Sequence, residues 1–324
     1  MKFRSIAALA ILSASLTPAL AQTSYPTRPI RIMVGFSAGG STDVLARVAA
    51  QEARKTLGQD LIVVNKPGAA ATIAMADVAN ADPDGYTIGI TPSGVMTMTP
   101  LFQNVRSDLL DVTSALVVAG RQRTGLAVKS DSPLRSVKDL LAAARENPGK
   151  ISIGTPGVGT GVAVLLQAII IQEKSDISLV PMQGDAPVVQ AMMGGHVSAG
   201  TTSAAGFAEH IRAGTMRLLA SMDNERLDVA PDVPTLIEQG YDLYSGTLQY
   251  FMAPKKTPAD IKAKLIDALT KAVNSPAFVE IAKQNVLHWP TKMTGEELDA
   301  YFQKDRQESI ALVKRLGLGK DSAK

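Results

Sequence analysis

The chain has 324 residues, 46% of them hydrophobic and 19% charged, with no cysteine. That length fits two domains able to bury their own cores, and the lack of thiols excludes disulfides, thiolate metal sites, Fe–S clusters and a cysteine nucleophile. The formal charge is only +3, the three histidines leave little for a histidine-rich metal site, and 4% aromatics are thin for stacking on nucleic acid.

Met1–Ala21 reads as a secretory signal peptide. Lys2 and Arg4 form its positive start, Ile6–Leu16 its apolar run, and Ala19-Leu20-Ala21 a small-x-small cleavage site. The run falls short of the roughly 20 residues that span a bilayer. No cysteine stands at the cleavage site, which excludes a lipoprotein anchor. The mature chain is expected to begin at Gln22 and to work outside the cytoplasm. Without Lys2 and Arg4, the 33 basic residues fall to 31 against 30 acidic ones, so no electrostatic footprint for nucleic acid remains.

Short apolar runs then alternate with helical periods. Strands are predicted at Ile30–Val34, Leu61–Val64, Tyr86–Ile90, Ala115–Ala119, Gly125–Val128 and Ile151–Ile153. Helices are predicted at Thr42–Leu57, Ala71–Ala79, Val137–Glu146 and Gly161–Gln172. Strands at Ser178–Val180, Val197–Ala199 and Arg217–Ala220 alternate with helices at Val188–Met193 and Phe207–Ala213. After a strand at Leu248–Met252 the pattern turns helical over Pro258–Val273, Pro276–Gln284 and Gly295–Arg315. Such alternation predicts an α/β architecture with largely parallel sheets. Its two blocks and helical tail fit a chain that leaves one domain, visits a second and returns.

Two glycine-rich loops stand between a strand and a helix. The first is Gly35-Phe36-Ser37-Ala38-Gly39-Gly40-Ser41-Thr42-Asp43. Its glycines allow close backbone approach, and the helix N-terminus that follows favours an anion. Ser41, Thr42 and Asp43 are also good N-cap types, so plain capping explains the loop equally well. The second loop is Gly154-Thr155-Pro156-Gly157-Val158-Gly159-Thr160-Gly161. It matches neither the dinucleotide fingerprint nor the phosphate loop with its lysine. Two such loops in two domains can hold one anion between them. A competing signal is Gly35-Phe36-Ser37-Ala38-Gly39, which matches the G-x-S-x-G nucleophile elbow. Few residues precede Ser37, and the remaining base would be His288, so a secreted serine hydrolase is the alternative.

Tyr25-Pro26-Thr27-Arg28-Pro29-Ile30-Arg31 followed by Gly35–Asp43 resembles the opening of the Bug family, the extracytoplasmic receptors of tripartite tricarboxylate transporters. The resemblance continues through Leu57-Gly58-Gln59, Val64-Asn65-Lys66-Pro67-Gly68-Ala69, Ala81–Thr87, Asn147-Pro148-Gly149-Lys150 and Asp232–Gly240. It implies a type II periplasmic-binding-protein fold: two α/β lobes, here 22–124 with 249–324 and 125–248, closing on a ligand in the cleft. It also implies a periplasmic, monomeric receptor rather than an enzyme, without cofactor, metal or nucleic-acid partner. Such a receptor hands a small carboxylate to the membrane subunits of its transporter.

By resemblance, ligand contacts fall on Phe36, Ser37, Ala38, Gly39, Gly40, Ser41 and Thr42 of the first loop and on Ser93 and Gly94 after the third strand. The second lobe contributes Thr155, Val158, Gly159, Thr160 and Gly161, then Gly184 and Asp185, then Thr202 and Ser203. The inventory is hydroxyls, amides and helix starts with no lysine or arginine, which suits a carboxylate held by neutral donors. Asp43 reads as a loop organiser paired with Arg47, and Asp185 as a cap of its own helix or a partner for a ligand amine or hydroxyl. The chain departs from the family where Met182-Gln183-Gly184 replaces a frequent Tyr-Lys-Gly. It also has Thr202-Ser203 in place of an acid or amide, and no tryptophan in Gly246–Tyr250. With Met96, Met98 and Met182, which read equally as core filler, these departures predict a less polar pocket, for a monocarboxylate or an aliphatic or aromatic dicarboxylate. The charged residues of 295–315 predict a solvated face.

Overall fold

The computed structural model describes residues 25–106, 108–284 and 293–320. The predicted signal peptide, the start at Gln22 and His288 lie outside them. The first stretch alternates as β1 (Ile30–Val34), α1 (Ser41–Leu57), β2 (Leu61–Asn65), α2 (Thr72–Asn80), β3 (Thr87–Pro92), α3 (Gly94–Thr97), α4 (Leu109–Val112) and β4 (Thr113–Gln122). Past Arg123 the chain enters β5 (Thr124–Lys129), α5 (Val137–Glu146), β6 (Ile151–Thr155), α6 (Gly161–Gln172) and β7 (Ile177–Pro181). It continues through α7 (Asp185–Met193), β8 (Ala199–Ser203), α8 (Ala204–Arg212) and β9 (Met216–Ser221). It returns through β10 (Thr247–Pro254), α9 (Ala259–Val273), α10 (Pro276–Gln284) and α11 (Gly295–Arg315).

Two five-stranded sheets result, in the orders β2-β1-β3-β10-β4 and β7-β6-β8-β5-β9. Their cores are parallel: β1 pairs with β2 and β3, and β6 with β7 and β8. The expectation of largely parallel sheets needs correction, because both are mixed. β10 runs antiparallel to β3 and β4, and β5 antiparallel to β8 and β9. The crossings explain this. In each sheet the parallel strands end at the cleft. A strand arriving from the other lobe enters at that end and must run the opposite way.

Local sequence accounts for most elements. β1 reads IRIMV, with four of its five residues buried, the near-continuous apolar run of an inner parallel strand. On α1, Leu45, Ala46, Ala49, Ala50 and Ala53 form the buried face. The helix ends at Gly58, whose φ of 69° lets its N–H reach the Arg54 carbonyl. Ser136 caps α5 by accepting from the Asp139 amide, and Asp139 accepts from the Arg135 amide in return. In β5, Leu126 and Val128 belong to one core with Leu140, Leu165 and Ile169. Ala127, between them, belongs to another with Met192, Phe207 and Leu218. The alternation of a strand puts these cores on opposite faces of the second sheet.

The expected strand at 197–199 is displaced to Ala199–Ser203. Its Gly-Thr-Thr-Ser end has no apolar pattern and is held by pairing with β5 from Thr124 to Ala127. The reading of 295–315 as a solvated face is also corrected in part. Glu296, Glu297, Lys304 and Glu308 are exposed, but Leu298 and Phe302 sit in the first lobe's core. Leu312 and Leu316 pack against the core of the second lobe, so α11 touches both lobes.

Candidate functional site

Four helices begin where the two lobes meet. Their N-caps are Gly40 of α1, Thr160 of α6, Gly184 of α7 and Ser203 of α8, and none makes a side-chain cap hydrogen bond. All four residues line one interlobe chamber. The first-turn amides of a helix have no intrahelical acceptor, and each N-terminus carries about half a positive charge. These backbone dipoles favour an anion in the chamber, and the Asp185 carboxylate, which also lines it, opposes one. Among the described residues, no lysine, arginine or histidine lines it. Ser41, Thr42 and Asp43, read as N-cap types, instead lie inside α1, with Gly40 taking the cap position.

Asp43 organises the loop from beneath. It accepts from the Gly39 amide at 2.9 Å, from Asn65 Nδ2 at 3.0 Å and from Arg47 at 2.9 Å. Burial pushes its carboxyl up, but the Arg47 hydrogen bond, with those from Gly39 and Asn65, outweighs burial and holds it below the usual carboxylate range. Gly39, with φ of 82°, supplies the left-handed turn that brings its amide onto that carboxylate.

The lobes are closed on each other. The Ser37 amide donates to the Gln183 carbonyl at 3.0 Å. Thr99 Oγ1 donates to the Gly159 carbonyl at 3.1 Å and Gln103 Nε2 to the Val158 carbonyl at 2.6 Å. Ser41 Oγ donates to Asp185 Oδ2 at 3.0 Å across the chamber. The enclosed space is about 50 Å³, room for a few waters at roughly 10–15 Å³ each. Its floor is formed by the crossings. Thr124 Oγ1 donates to the Ser245 carbonyl at 3.1 Å, and Gln122 Nε2 to Ser41 Oγ at 3.3 Å.

The chamber brings together Phe36, Gly40, Ser41, Thr42 and Gly94 from the first lobe and Thr160, Gly161, Gly184, Asp185 and Ser203 from the second. The remaining sequence candidates lie elsewhere. Ser37 is in the seam, and Ala38 and Gly39 are exposed. Ser93 is tied by its amide to the Leu248 carbonyl at 2.8 Å. Thr155 and Thr202 are buried within the ends of β6 and β8. Val158 is exposed, and Gly159 meets Thr99 and Phe102 in the seam. Sequence reasoning missed Gln122, Thr124, Ser245 and Thr247. The crossing positions were the available signal, since a segment passing between lobes must pass the cleft floor.

Two further readings are corrected. Among the described residues no methionine lines the chamber: Met96 is in the first lobe's core, and Met182 packs against the core that holds Met192 and Phe207. Asp185 does not cap α7. Gly184 is the N-cap, and the Asp185 side chain turns instead to Ser203 and Ser41.

The family model for tripartite tricarboxylate transporter family receptors matches residues 45–318. A Cupriavidus necator relative, the UPF0065 protein in gbd 5'region, is 33% identical over 97% of this chain and 95% of its own length. The structure of the periplasmic binding protein BugD superposes with a TM-score of 0.84 at 29% identity, covering 91% of this chain and 99% of that one. MatC from Rhodopseudomonas palustris with bound malate superposes at 0.82 with 25% identity, covering 90% of this chain and 99% of that one. The hydrolase alternative has no counterpart in this family, and no described helix is long and apolar enough to cross a membrane. A match across most of the chain, together with two mixed α/β lobes closed on an anion-friendly chamber, places this protein in the tripartite tricarboxylate transporter receptor family, as a periplasmic solute-binding receptor and not an enzyme.

Proposed function

We propose that the receptor captures a small aliphatic mono- or dicarboxylate in the interlobe chamber and delivers it to the membrane subunits of a tripartite tricarboxylate transporter. The observation that carries this reading is the convergence of four uncapped helix N-termini on one chamber without a cationic side chain. A carboxylate accepts charge-assisted hydrogen bonds from amides and hydroxyls, and geometry then selects the ligand. The volume of about 50 Å³ limits the ligand to a small acid. Malate bound in the similar MatC structure supports the same class. The lobes, 22–124 with 249–324 and 125–248, hinge where the chain crosses at Arg123 and between Ser245 and Thr247. Closure presents the surface that the membrane subunits read. The working form is a periplasmic monomer beginning at Gln22.

A thermal-shift screen of protein stripped of ligand by partial unfolding and refolding tests this. A ligand at 100 times its Kd adds roughly 2.7 kcal/mol. At about 2–4 °C per kcal/mol, that is a rise of roughly 5–10 °C. Short mono- or dicarboxylates should give this shift, and sugars and aromatic acids should not. A flat panel, or citrate as the strongest stabiliser, would refute the reading.

A further inference from the structure

Among the described residues, the structure buries three acidic side chains almost completely: Asp43, Asp185 and Asp223. Two of them hold a guanidinium. Asp43 is 2.9 Å from Arg47, and Asp223 is 2.7 Å from Arg121. Asp185, 6% exposed, has no ion pair among the described residues. Its partners are the Ser203 amide at 3.2 Å, the Ser203 hydroxyl, and the Ser41 hydroxyl at 3.0 Å. A carboxylate offers about four acceptor positions, so these donors leave one open. Asp185 is the first residue of α7, and that helix end supplies about half a charge. Among the described residues, no cationic side chain completes the compensation that a buried charge needs.

Among the described residues, Asp185 is also the single ionisable side chain lining the chamber. The chamber therefore has two poles: helix N-termini that favour an anion, and one carboxylate that repels it. A plain dicarboxylate leaves Asp185 unpaired and adds like charge beside it. A ligand with an ammonium group next to its carboxylate satisfies both poles. Its nitrogen donates to the open position of Asp185, and its carboxylate takes the amides of α1 and α6.

We propose that Asp185 is a specificity-determining residue that selects a carboxylate bearing a cationic N–H donor, an amino-acid-like zwitterion, over the unsubstituted acid. This inference rests on the reading of the chamber as a small-carboxylate site. The test is calorimetric titration of the ligand-stripped, full mature chain with matched pairs: succinate against aspartate, glutarate against glutamate, propionate against alanine. The wild type should bind the ammonium-bearing member of at least one pair at least 10-fold more tightly. Asp185→Asn keeps the shape and acceptor oxygen but not the charge, and should compress that ratio to about 3-fold or less. A merely structural Asp185, holding Ser41 and Ser203 for closure, would weaken both members alike and leave the ratio unchanged, which overturns the proposal. A wild-type preference for the unsubstituted acid in every pair overturns it too, and that ratio decides the matter even if Asp185→Asn does not fold. Binding of no member of any pair, plain or substituted, would instead overturn the small-carboxylate reading, and this inference with it.

Discussion

Gly35→Ala should cost about 3 kcal/mol of unfolding free energy, the upper end for adding a methyl group to a packed interior. A Cβ at Gly35 would sit 2.2 Å from Ala71 Cβ, 2.5 Å from Ala71 Cα and 2.8 Å from its carbonyl oxygen. These are backbone atoms or atoms fixed to the backbone, so no rotamer change relieves the clash. Ala71 itself cannot easily move. Ala69, Ala70 and Ala71 all have positive φ, at 44°, 49° and 75°, a left-handed run that costs roughly 1–2 kcal/mol per residue and is held by the start of α2. Gly35 follows β1 and begins the loop that delivers Gly40 and Ser41 to the chamber. The substitution should therefore lower the melting temperature by roughly 6–12 °C and impair ligand binding in whatever fraction still folds. Thermal and urea unfolding measure the first effect. A loss below about 1 kcal/mol would show that the segment 69–71 is free to shift.

Asp223→Ala should destabilise by about 3–5 kcal/mol, the range for removing one partner of a buried ion pair. Asp223 is fully buried beside the first crossing. Its Oδ1 is 2.7 Å from Arg121 Nη2 and accepts from the Asn224 amide at 2.7 Å, while its Oδ2 is 3.9 Å from Arg123 Nε. Burial pushes its carboxyl up from the ordinary value, against the pull of the two arginines. Arg121 is the penultimate residue of β4 in the first lobe, Asp223 follows β9 in the second, and the Arg121 guanidinium lies on Gly246 of the returning segment. The cluster thus pins both crossings at one point. Without the carboxylate, Arg123, 3% exposed, keeps its bonds to the Arg226 carbonyl and Asp228 but loses its buried counter-charge. Denaturant unfolding of the variant should give a lower midpoint. A change of less than about 1 kcal/mol would mean that the rim acids Glu225 and Asp228 suffice.

The helices over 137–146, 161–172 and 295–315 were readable residue for residue, the first from its own period and stop and the second from an apolar run too long for a strand. The loop after β1 was readable as a glycine-rich turn from a strand into a helix, and the structure brings its Phe36, Gly40, Ser41 and Thr42 to the chamber. Strand direction was not. Nothing in the residues of β10 states that the chain enters that sheet from the cleft, so its antiparallel sense became visible only with both crossings in place. β8 was misplaced because Gly200-Thr201-Thr202-Ser203 is polar yet buried. The chamber floor was missed for a related reason. Gln122, Thr124, Ser245 and Thr247 gain their role from two segments some 120 residues apart meeting, as in the 3.4 Å contact of Thr247 Oγ1 with Gln122 Oε1. Asp185 looked like a helix cap because Ser, Thr, Asp and Asn at a helix start usually are caps. Its actual partners, Ser41 and Ser203, lie 144 and 18 residues away in sequence.

The central claim is that a small carboxylate sits between the opposed helix N-termini of the two lobes. It is tested most directly by titrating uniformly ¹⁵N-labelled, ligand-stripped protein with the best ligand of the screen and following the backbone amides. The largest saturable shifts should fall at the first-turn amides of Ser41 and Thr42 in α1 and of Gly161 and Val162 in α6. Changes at Gly159 and Gln183 should follow as the seam closes. Saturable shifts confined to the larger groove of about 740 Å³ beside α11, around Leu101, Arg306 and Lys320, with the four chamber amides unmoved, would contradict it.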